Sequence, residues 1–380
     1  MKYKILCLIV VATIFTCFIL FFGLLIPVQA AGERGRVKVV NNLLVADNGA
    51  PLRGENPRLK FWPEDPTHLS YWQRLRDFHL NTVRIIAYRE PQFYNSSACG
   101  YSCESRWDLL NASDVDVNND GQLTGSEKTT WDGFMDRIFP YLDTWVDEAG
   151  RNGFYIIIDY HPVGGLDMFD AREWWTKVAP RYKDRTHVVY ELANEPVGSP
   201  AWGPAGYTPA MINWEKEMYQ YLRSVAPNTH IILWSFANAG SGMKEVVDQA
   251  AGVDYTNASV AFHIYSRSTS AINSLKSAYP VFASEMGGDS AAEYDTKVGY
   301  VENIGVKSWI ILDGTLPETA VTVPWPADPF FTNISSPSPT VSDLKASFRI
   351  YLTSDDLSYK PVDGKVNLLD GGWVVKLLVY

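Results

Sequence analysis

The stretch "VVYELANEPVG", residues 188–198, joins a short apolar run to an abrupt polar end. Its first three residues are typical of a buried β-strand, because β-branched and aromatic side chains fit a pleated surface. The run stops at Asn194 and Glu195, and a proline follows. A carboxyl group at the end of a buried strand needs a partner, since an unpaired buried charge is costly. Glu195 therefore indicates a site that holds further polar groups.

Other segments of the chain share this apolar character and alternate with helical patterns such as residues 131–150 and 211–225. Strands that are apolar on both faces are typical of a buried parallel sheet. Eight strand–helix units in a chain of this length predict an α/β fold, a (β/α)8 TIM barrel, rather than an open sheet. The predicted strands are 50–56, 81–88, 154–162, 188–196, 230–238, 258–266, 279–288 and 306–314.

The segments around the barrel have their own patterns. Residues 37–56 predict an N-terminal β-hairpin that turns at Asp47–Gly49, because Asn-Gly is a strong turn signal. A long loop, residues 89–128, is inserted after the second predicted strand. The catalytic barrel is expected to extend over residues 31–380, with residues 353–380 as a short C-terminal extension.

The first 30 residues predict a targeting segment. Lys2 and Lys4 precede an apolar run, and small residues at Val28 and Ala30 fit a cleavage site after Ala30. The run is also long enough to cross a bilayer, so an uncleaved membrane anchor is the alternative. We expect a secreted protein, or else a membrane-anchored one that faces outside.

The composition excludes some partners. The formal charge is −10 and no Lys/Arg cluster is present, which argues against nucleic-acid binding. We expect a monomer. Two of the four cysteines lie in the targeting segment, which leaves Cys99 and Cys103 in a Gly/Ser-rich loop. In an exported protein such a close pair predicts a local disulfide.

Polar residues cluster where the predicted strands end, which is the face on which barrel enzymes hold their active sites. Glu285 ends the seventh strand, nearly opposite Glu195 at the end of the fourth. Two carboxyl groups that face each other across a cleft are what the cleavage of a glycosidic bond requires. The other polar residues at these positions are Arg84, Asp159, His161, Asn194, His263 and Tyr265.

The motifs "YELANEP" and "FASEMGG", together with Arg84, "DYHP" and "HIYS", resemble glycoside hydrolase family 5, a family of retaining barrel glycosidases. The resemblance extends over residues 37–351. It implies that Glu195 is the general acid/base and Glu285 the nucleophile. It further implies that Asn194 binds the sugar 2-hydroxyl, that Arg84 keeps Glu285 ionised and that Tyr265 donates to Glu285. His161 and His263 would line the subsite around the scissile bond.

The tryptophans depart from the family pattern. The family often carries a sugar-stacking Trp late in the eighth strand, in patterns such as W-x-x-W. Here Trp309 is followed by Leu312 three residues later, so either Trp309 stacks on the sugar or the platform is absent. Four more tryptophans could extend the cleft or simply pack in the core: Trp174, Trp175, Trp202 and Trp234.

The segment "DVNNDGQLTGSE", residues 116–127, matches the pattern D-x-[DN]-x-[DN]-G-x5-E in full. It resembles the calcium loop of EF-hands and dockerins. The alternative is an Asx-rich turn before a helix. We expect a structural Ca²⁺ that holds the inserted loop, and no cofactor for catalysis. The predicted ligands are Asp116, Asn118, Asp120, the carbonyl of Gln122, and Glu127.

Taken together, these patterns predict an extracellular glycoside hydrolase that cleaves a β-linked polysaccharide by a retaining double displacement. The expected substrate is β-1,4-glucan, with β-mannan as the alternative. Two non-enzymatic alternatives are a carbohydrate-binding surface protein that kept the barrel and a calcium-dependent scaffold module. Intact Glu195 and Glu285 argue against the first, and the single calcium motif argues against the second.

Overall fold

A computed structural model of the chain describes residues 33–57, 66–67, 69–86, 118, 120–162, 164, 166–198, 202–287, 291–312 and 328–333. The predicted targeting segment, Cys99, Cys103, Asp116 and the extension 353–380 lie outside these residues. The inserted loop is described from Asn118 onward, with the exception of residue 119.

The predicted N-terminal hairpin is confirmed, but its two paired strands are joined by a turn that was not predicted, ahead of the one at Asp47–Gly49. Strands β1 (Lys38–Val40) and β2 (Leu43–Val45) pair antiparallel around Asn41 and Asn42. These two residues have φ angles of 52° and 56°, the positive values that a two-residue hairpin turn needs and that asparagine tolerates. The predicted turn at Asp47–Gly49 exists as a second reversal, closed by a bridge between Val45 and Pro51.

The predicted barrel is confirmed. Each of eight parallel strands pairs with the next, and the last pairs with the first, so that the sheet closes. The barrel strands are β3 (Arg53–Asn56), β4 (Thr82–Ile86), β5 (Tyr155–Asp159), β6 (Val188–Glu191), β7 (His230–Phe236), β8 (Ala258–His263), β9 (Val281–Glu285) and β10 (Trp309–Leu312).

Helices cover the outside of the barrel. Local signals set their ends: in α4, for example, the Thr208 hydroxyl accepts the Met211 N–H and Pro209 occupies the first turn. The helices are α1 (Leu69–Asp77), α2 (Gly125–Asn152), α3 (Met168–Tyr182), α4 (Pro209–Val225), α5 (Met243–Val247), α6 (Thr269–Ala278) and α7 (Ala291–Asn303), with 3-10 turns at Pro204–Gly206 and Pro329–Asn333. Among the described helices, none combines the length and apolar composition that a membrane crossing requires.

Alternate residues of the barrel strands point inward and fill the barrel below the site. They form one apolar cluster with the hairpin, which packs beneath the strands. Because this interior is closely packed, it acts as a rigid floor for the polar groups at the carboxyl ends of the strands. The inward residues are Tyr155, Ile157, Val189, Ile232, Ala261, Phe282 and Ile310.

A buried arginine ties the chain together at the amino-terminal end of the barrel. The Arg34 guanidinium lies 4.8 Å from the ring centre of Tyr155 and 4.4 Å from that of Phe330. It also bonds the carboxylates of Asp47 at 2.9 Å and Asp328 at 2.6 Å. The N-terminal segment, the second turn and the segment at residue 328 are therefore held at one point, away from the site.

Candidate active site

Strand pairing brings the polar strand ends together. Asp159 at the end of β5 lies opposite Glu191 at the end of β6, and His263 at the end of β8 lies opposite Glu285 at the end of β9. Arg84 lies in the middle of β4, directly below this rim. The side chains of a parallel barrel therefore converge from five strands on one small volume.

The guanidinium of Arg84 occupies the centre of this volume and is fully buried. Its Nε and Nη2 donate to the two oxygens of Glu191 at 2.6 and 2.9 Å, and Nη1 donates to Glu285 Oε2 at 3.0 Å. Nη2 also lies 2.9 Å from Asp159 Oδ2. Burial lowers the pKa of Arg84, but these carboxylates outweigh it and hold the pKa above its ordinary value. Arg84 is therefore a permanent cation.

Glu285 accepts a second hydrogen bond from the other side. The hydroxyl of Tyr265 donates to Glu285 Oε1 at 2.5 Å, while Arg84 binds Oε2. Burial, followed by the charge of Glu285, raises the pKa of Tyr265 well above its ordinary value. The phenol consequently keeps its proton and remains a donor. Two donors from opposite sides fix the orientation of the Glu285 carboxylate.

Tyr265 is 45% exposed as a residue, and its ring lies against the backbone of Gly287. A Cβ atom at Gly287 would lie 2.7 Å from Tyr265 Cε1, a distance at which the ring would have to move. The ammonium group of Lys297 donates to the Gly287 carbonyl, and its Nζ lies 5.6 Å from the ring centre of Tyr265. Gly287 therefore leaves the space that lets the phenol reach Glu285, a role that the "EMGG" motif had not suggested.

The position of the Glu195 side chain is set by an unusual backbone conformation and by a contact with His263. Its φ angle of 37° is unusual for a residue with a side chain, and strained backbone of this kind is often found at functional sites. Its carbonyl accepts the N–H of Gly164 at 2.9 Å. Its Oε1 lies 2.6 Å from Nδ1 of the buried His263.

Glu195 and His263 are placed to share a proton, since Glu195 Oε1 and His263 Nδ1 are in hydrogen-bond contact. Burial lowers the pKa of His263, but the charges of Glu285 and Glu195 outweigh it, so the pKa lies above its ordinary value. Burial raises the pKa of Glu195, but the charge and hydrogen bond of His263 outweigh it and bring the pKa below its ordinary value. Because the two groups are in contact, they titrate as a pair.

The two predicted catalytic carboxyl groups lie close to each other. An oxygen of Glu195, an oxygen of Glu285 and a ring nitrogen of His263 all lie within 4.8 Å of one another. His263 Nδ1 is 3.7 Å from Glu285 Oε1. The site is therefore a narrow gap between two carboxyl groups, each with its own set of donors.

The remaining predicted site residues form the wall next to Arg84. His161 Nδ1 lies 2.5 Å from Asp159 Oδ2, and its Nε2 lies 3.5 Å from Asn194 Nδ2. Asn194 Oδ1 accepts from Arg84 Nη2 at 2.7 Å, and Nδ2 donates to the carbonyl of Pro162 at 2.9 Å. The structure thus brings together Arg84, His161, Asn194, Glu195, His263, Tyr265 and Glu285.

Trp309 does not belong to this site. It is the first residue of β10, pairs with Arg53 at the amino-terminal end of the barrel and is 1% exposed. Its indole N–H donates to Glu302 Oε1 at 2.9 Å. The ring is therefore part of the core at the opposite end of the strand, and the prediction that it contacts substrate is wrong.

Two carboxylates and a serine complete the network around Arg84. Glu191 and Asp159 bind the guanidinium, and the Ser235 hydroxyl donates to Glu191. Ser235 lies in a bulge of β7, where Trp234 and Ser235 both have positive φ angles and the register shifts. An acidic residue within the apolar run of β6 was a signal for Glu191. No glycine or proline marked the bulge.

The described part of the predicted calcium loop leads into α2. Asn118 Oδ1 accepts the N–H of Asp120 at 2.9 Å, and Asp120 Oδ1 accepts the N–H of Gln122 at 2.8 Å. The Glu127 carboxylate accepts the backbone N–H of Asn118 at 3.2 Å, so it faces the loop. This donor set of carboxylates and amides suits a hard cation such as Ca²⁺.

The family model for cellulase, glycosyl hydrolase family 5, matches residues 45–310, which is more than half of the chain. The chain therefore belongs to glycosyl hydrolase family 5.

Two curated relatives show how far the similarity extends. Endoglucanase E-5 of Thermobifida fusca is 30% identical over 270 residues, which cover 62% of this chain and 53% of the relative. Endoglucanase CelA of Streptomyces lividans is 30% identical over 177 residues, which cover 43% of this chain and 36% of the relative. The chain thus spans about half, or less, of the length of these relatives.

Solved structures are similar at lower identity. The crystal structure of the catalytic domain of Thermobifida fusca endoglucanase Cel5A has a TM-score of 0.49 at 20% identity, and the alignment covers 73% of this chain and 84% of that chain. The mannohexaose complex of Thermomonospora fusca β-mannanase has a TM-score of 0.47 at 17% identity, with 73% and 83% covered.

The shared proton predicts a pH profile. Because the pKa of His263 is raised, the pair should lose its proton only above the ordinary histidine value of about 6.5. In His263→Asn, Glu195 alone must hold the proton, and a carboxyl group releases it at lower pH. The basic limb of kcat/KM on a soluble β-glucan should therefore move to lower pH by roughly one unit or more.

His79→Asn is the matched control, because His79 has a φ angle of 57° that asparagine tolerates, and it lies in the turn after α1. Its profile should coincide with that of the unmodified protein. A basic limb that does not move in His263→Asn would contradict the shared proton.

Proposed function

We propose that the protein is an extracellular glycoside hydrolase that cleaves β-1,4-glucan with retention of anomeric configuration. The observation that carries the proposal is the short separation of the two carboxyl groups, whose nearest oxygens are no more than 4.8 Å apart. Retaining glycosidases have their two carboxyl groups about 5–5.5 Å apart, whereas inverting ones leave about 6.5–9.5 Å for a water molecule. The gap here suits direct attack by a carboxylate.

The groups that bond each carboxylate indicate which one is the nucleophile and which one is the general acid/base. Glu285 is oriented by Arg84 and Tyr265, neither of which can take a proton from it, and this suits a nucleophile. Glu195 faces His263, with which it can exchange a proton, and this suits a general acid/base. In the first step a Glu285 oxygen bonds the anomeric carbon, Glu195 protonates the glycosidic oxygen, and the bond to the leaving chain breaks.

The second step reverses the proton's direction. A water molecule attacks the anomeric carbon of the glycosyl ester, its proton passes to Glu195, and the bond to Glu285 breaks to release the carboxylate. Arg84 and Tyr265 stabilise the charge that returns to Glu285, because they are already in place and need no reorganisation. Asn194 is oriented by Arg84 and Pro162, which favours its proposed bond to the sugar 2-hydroxyl.

The choice of β-1,4-glucan rests on family membership and on the endoglucanase names of both relatives described above. A polymeric substrate outside the cell fits the predicted targeting segment 1–30, with a disulfide between Cys99 and Cys103 in the exported chain.

The stereochemistry of the first product tests this proposal. NMR of a cello-oligosaccharide digest should show the β-anomer at early times, before mutarotation. Glu285→Gln should lower kcat by about a thousandfold or more, since no glycosyl ester can form. Glu217→Gln, on the exposed face of α4, is the control and should keep full activity. An α-anomer as first product would contradict the mechanism, and hydrolysis of β-mannan alone would contradict the substrate.

We further propose that residues 116–127 bind a structural Ca²⁺. EDTA should lower the melting temperature and added Ca²⁺ should restore it, because the ion stabilises only the folded loop. Asp116→Ala should abolish this response. Asp254→Ala removes a comparable loop aspartate that accepts the Thr256 N–H, and it should leave the calcium response intact. Identical melting curves with EDTA and with Ca²⁺ would contradict the proposed site.

A further inference from the structure

The four tryptophans that could extend the cleft differ in burial. Trp174, Trp175 and Trp234 are fully buried and belong to the core. Trp202 is 42% exposed, and it alone is exposed among the tryptophans that the structure describes. An exposed indole near a site offers a large, flat and apolar surface that a ligand can contact.

Trp202 lies at the carboxyl end of the barrel, where Gly164 links its ring to the backbone of Glu195. It follows Glu195 in the same loop. Its Cη2 atom would be 3.4 Å from a Cβ atom built on Gly164, and the N–H of Gly164 donates to the carbonyl of Glu195 at 2.9 Å. A Cβ atom built on the next residue, Gly203, would lie 3.8 Å from Asn238 Cβ in the loop after β7.

Gly164 is what allows the ring to come so close. Its φ angle is +69°, and a Cβ atom at this position would lie 2.5 Å from Gly198 Cα. The loops after β5 and β6 therefore approach each other backbone to backbone, and Cη2 of the Trp202 indole lies next to this junction. Since Gly164 bonds Glu195 directly, the ring is tied to the position of the acid/base residue.

The reaction chemistry determines which of the two sugars beside the broken bond lies near Trp202. The general acid must reach the glycosidic oxygen, which departs with the leaving part of the chain. The leaving sugar consequently lies on the Glu195 side, while the sugar that is transferred lies over Glu285 and Tyr265. Trp202 is on the Glu195 side.

We propose that Trp202 is a stacking platform for the leaving-side sugar, a β-1,4-linked glucosyl residue. This inference rests on the proposed function. A β-glucosyl ring has equatorial hydroxyls and axial C–H groups, so its faces are apolar and match a flat indole. The same platform binds an incoming sugar acceptor when the glycosyl ester reacts with a hydroxyl group in place of water.

Reactivation of a trapped ester tests the platform separately from the chemistry. A 2-fluoro-cellobiosyl donor with a good leaving group should form the ester on Glu285, and cellobiose should then release it by transfer. The acceptor oxygen bonds the anomeric carbon, its proton passes to Glu195, and the electron pair of the broken bond returns to Glu285. The rate should rise with cellobiose concentration to a plateau, and the reaction of each trapped variant with water is its reference.

In Trp202→Ala the cellobiose concentration that gives half of the maximal acceleration should rise about tenfold, because an apolar contact of this size is lost. Trp202→Phe should lie between the two. Tyr141→Ala removes another exposed ring, on α2, and should match the unmodified protein. Trp202→Leu, which keeps apolar bulk without an aromatic face, decides the matter if the alanine variant does not fold.

The outcomes separate the two proposals. If no ester forms in any variant, the proposed retaining mechanism fails, whatever Trp202 does. If the ester forms and cellobiose saturates Trp202→Ala and Trp202→Leu as it does the unmodified protein, the mechanism stands and the platform is overturned.

Discussion

The arrangement of the site depends on the buried guanidinium of Arg84. It binds Glu191 through two parallel hydrogen bonds, which fix the plane of the fork and leave Nη1 directed at Glu285. A lysine could not replace it, because an ammonium group has no such planar geometry. Removal of one partner from a buried ion cluster of this kind typically costs about 3–5 kcal/mol, since it leaves charge without compensation. The same contacts of Arg84 therefore contribute to the free energy of unfolding and fix the orientation of Glu285.

The same cluster of charged groups explains why Glu195 and Glu285 suit different roles in the proposed mechanism. Four carboxylates lie around Arg84 and His263, and this excess of negative charge favours a proton on the Glu195–His263 pair. When Glu285 becomes an ester in the proposed mechanism, its charge disappears and His263 loses one of the groups that raise its pKa. Glu195 is then free to act as a base. One set of contacts thus supports both halves of the reaction.

Much of this arrangement could be predicted from the sequence. Apolar strands with polar ends can be recognised in a sequence because the polarity of each side chain indicates whether it is buried. The barrel and the polar site residues at its strand ends were therefore predicted. The position of Trp309 was predicted wrongly. The family pattern indicates which strand carries the tryptophan, but not whether it lies at the amino-terminal or the carboxyl end of that strand. The turn at Asn41 and Asn42 was missed in favour of Asp47–Gly49, which has the stronger local signal. The Trp234–Ser235 bulge depends on long-range contacts, such as the bond from Ser235 to Glu191, that no local pattern encodes.

In the proposed mechanism Glu285, held by Arg84 and Tyr265, forms the covalent bond to the sugar. The most direct measurement is mass spectrometry of peptides from protein inactivated with a 2-fluoro-cellobioside. We expect a single added 2-fluorocellobiosyl mass on the peptide that contains the end of β9, with fragmentation placing it on Glu285. A label on Glu195 or Glu191, or complete turnover with no label on any peptide, would contradict it.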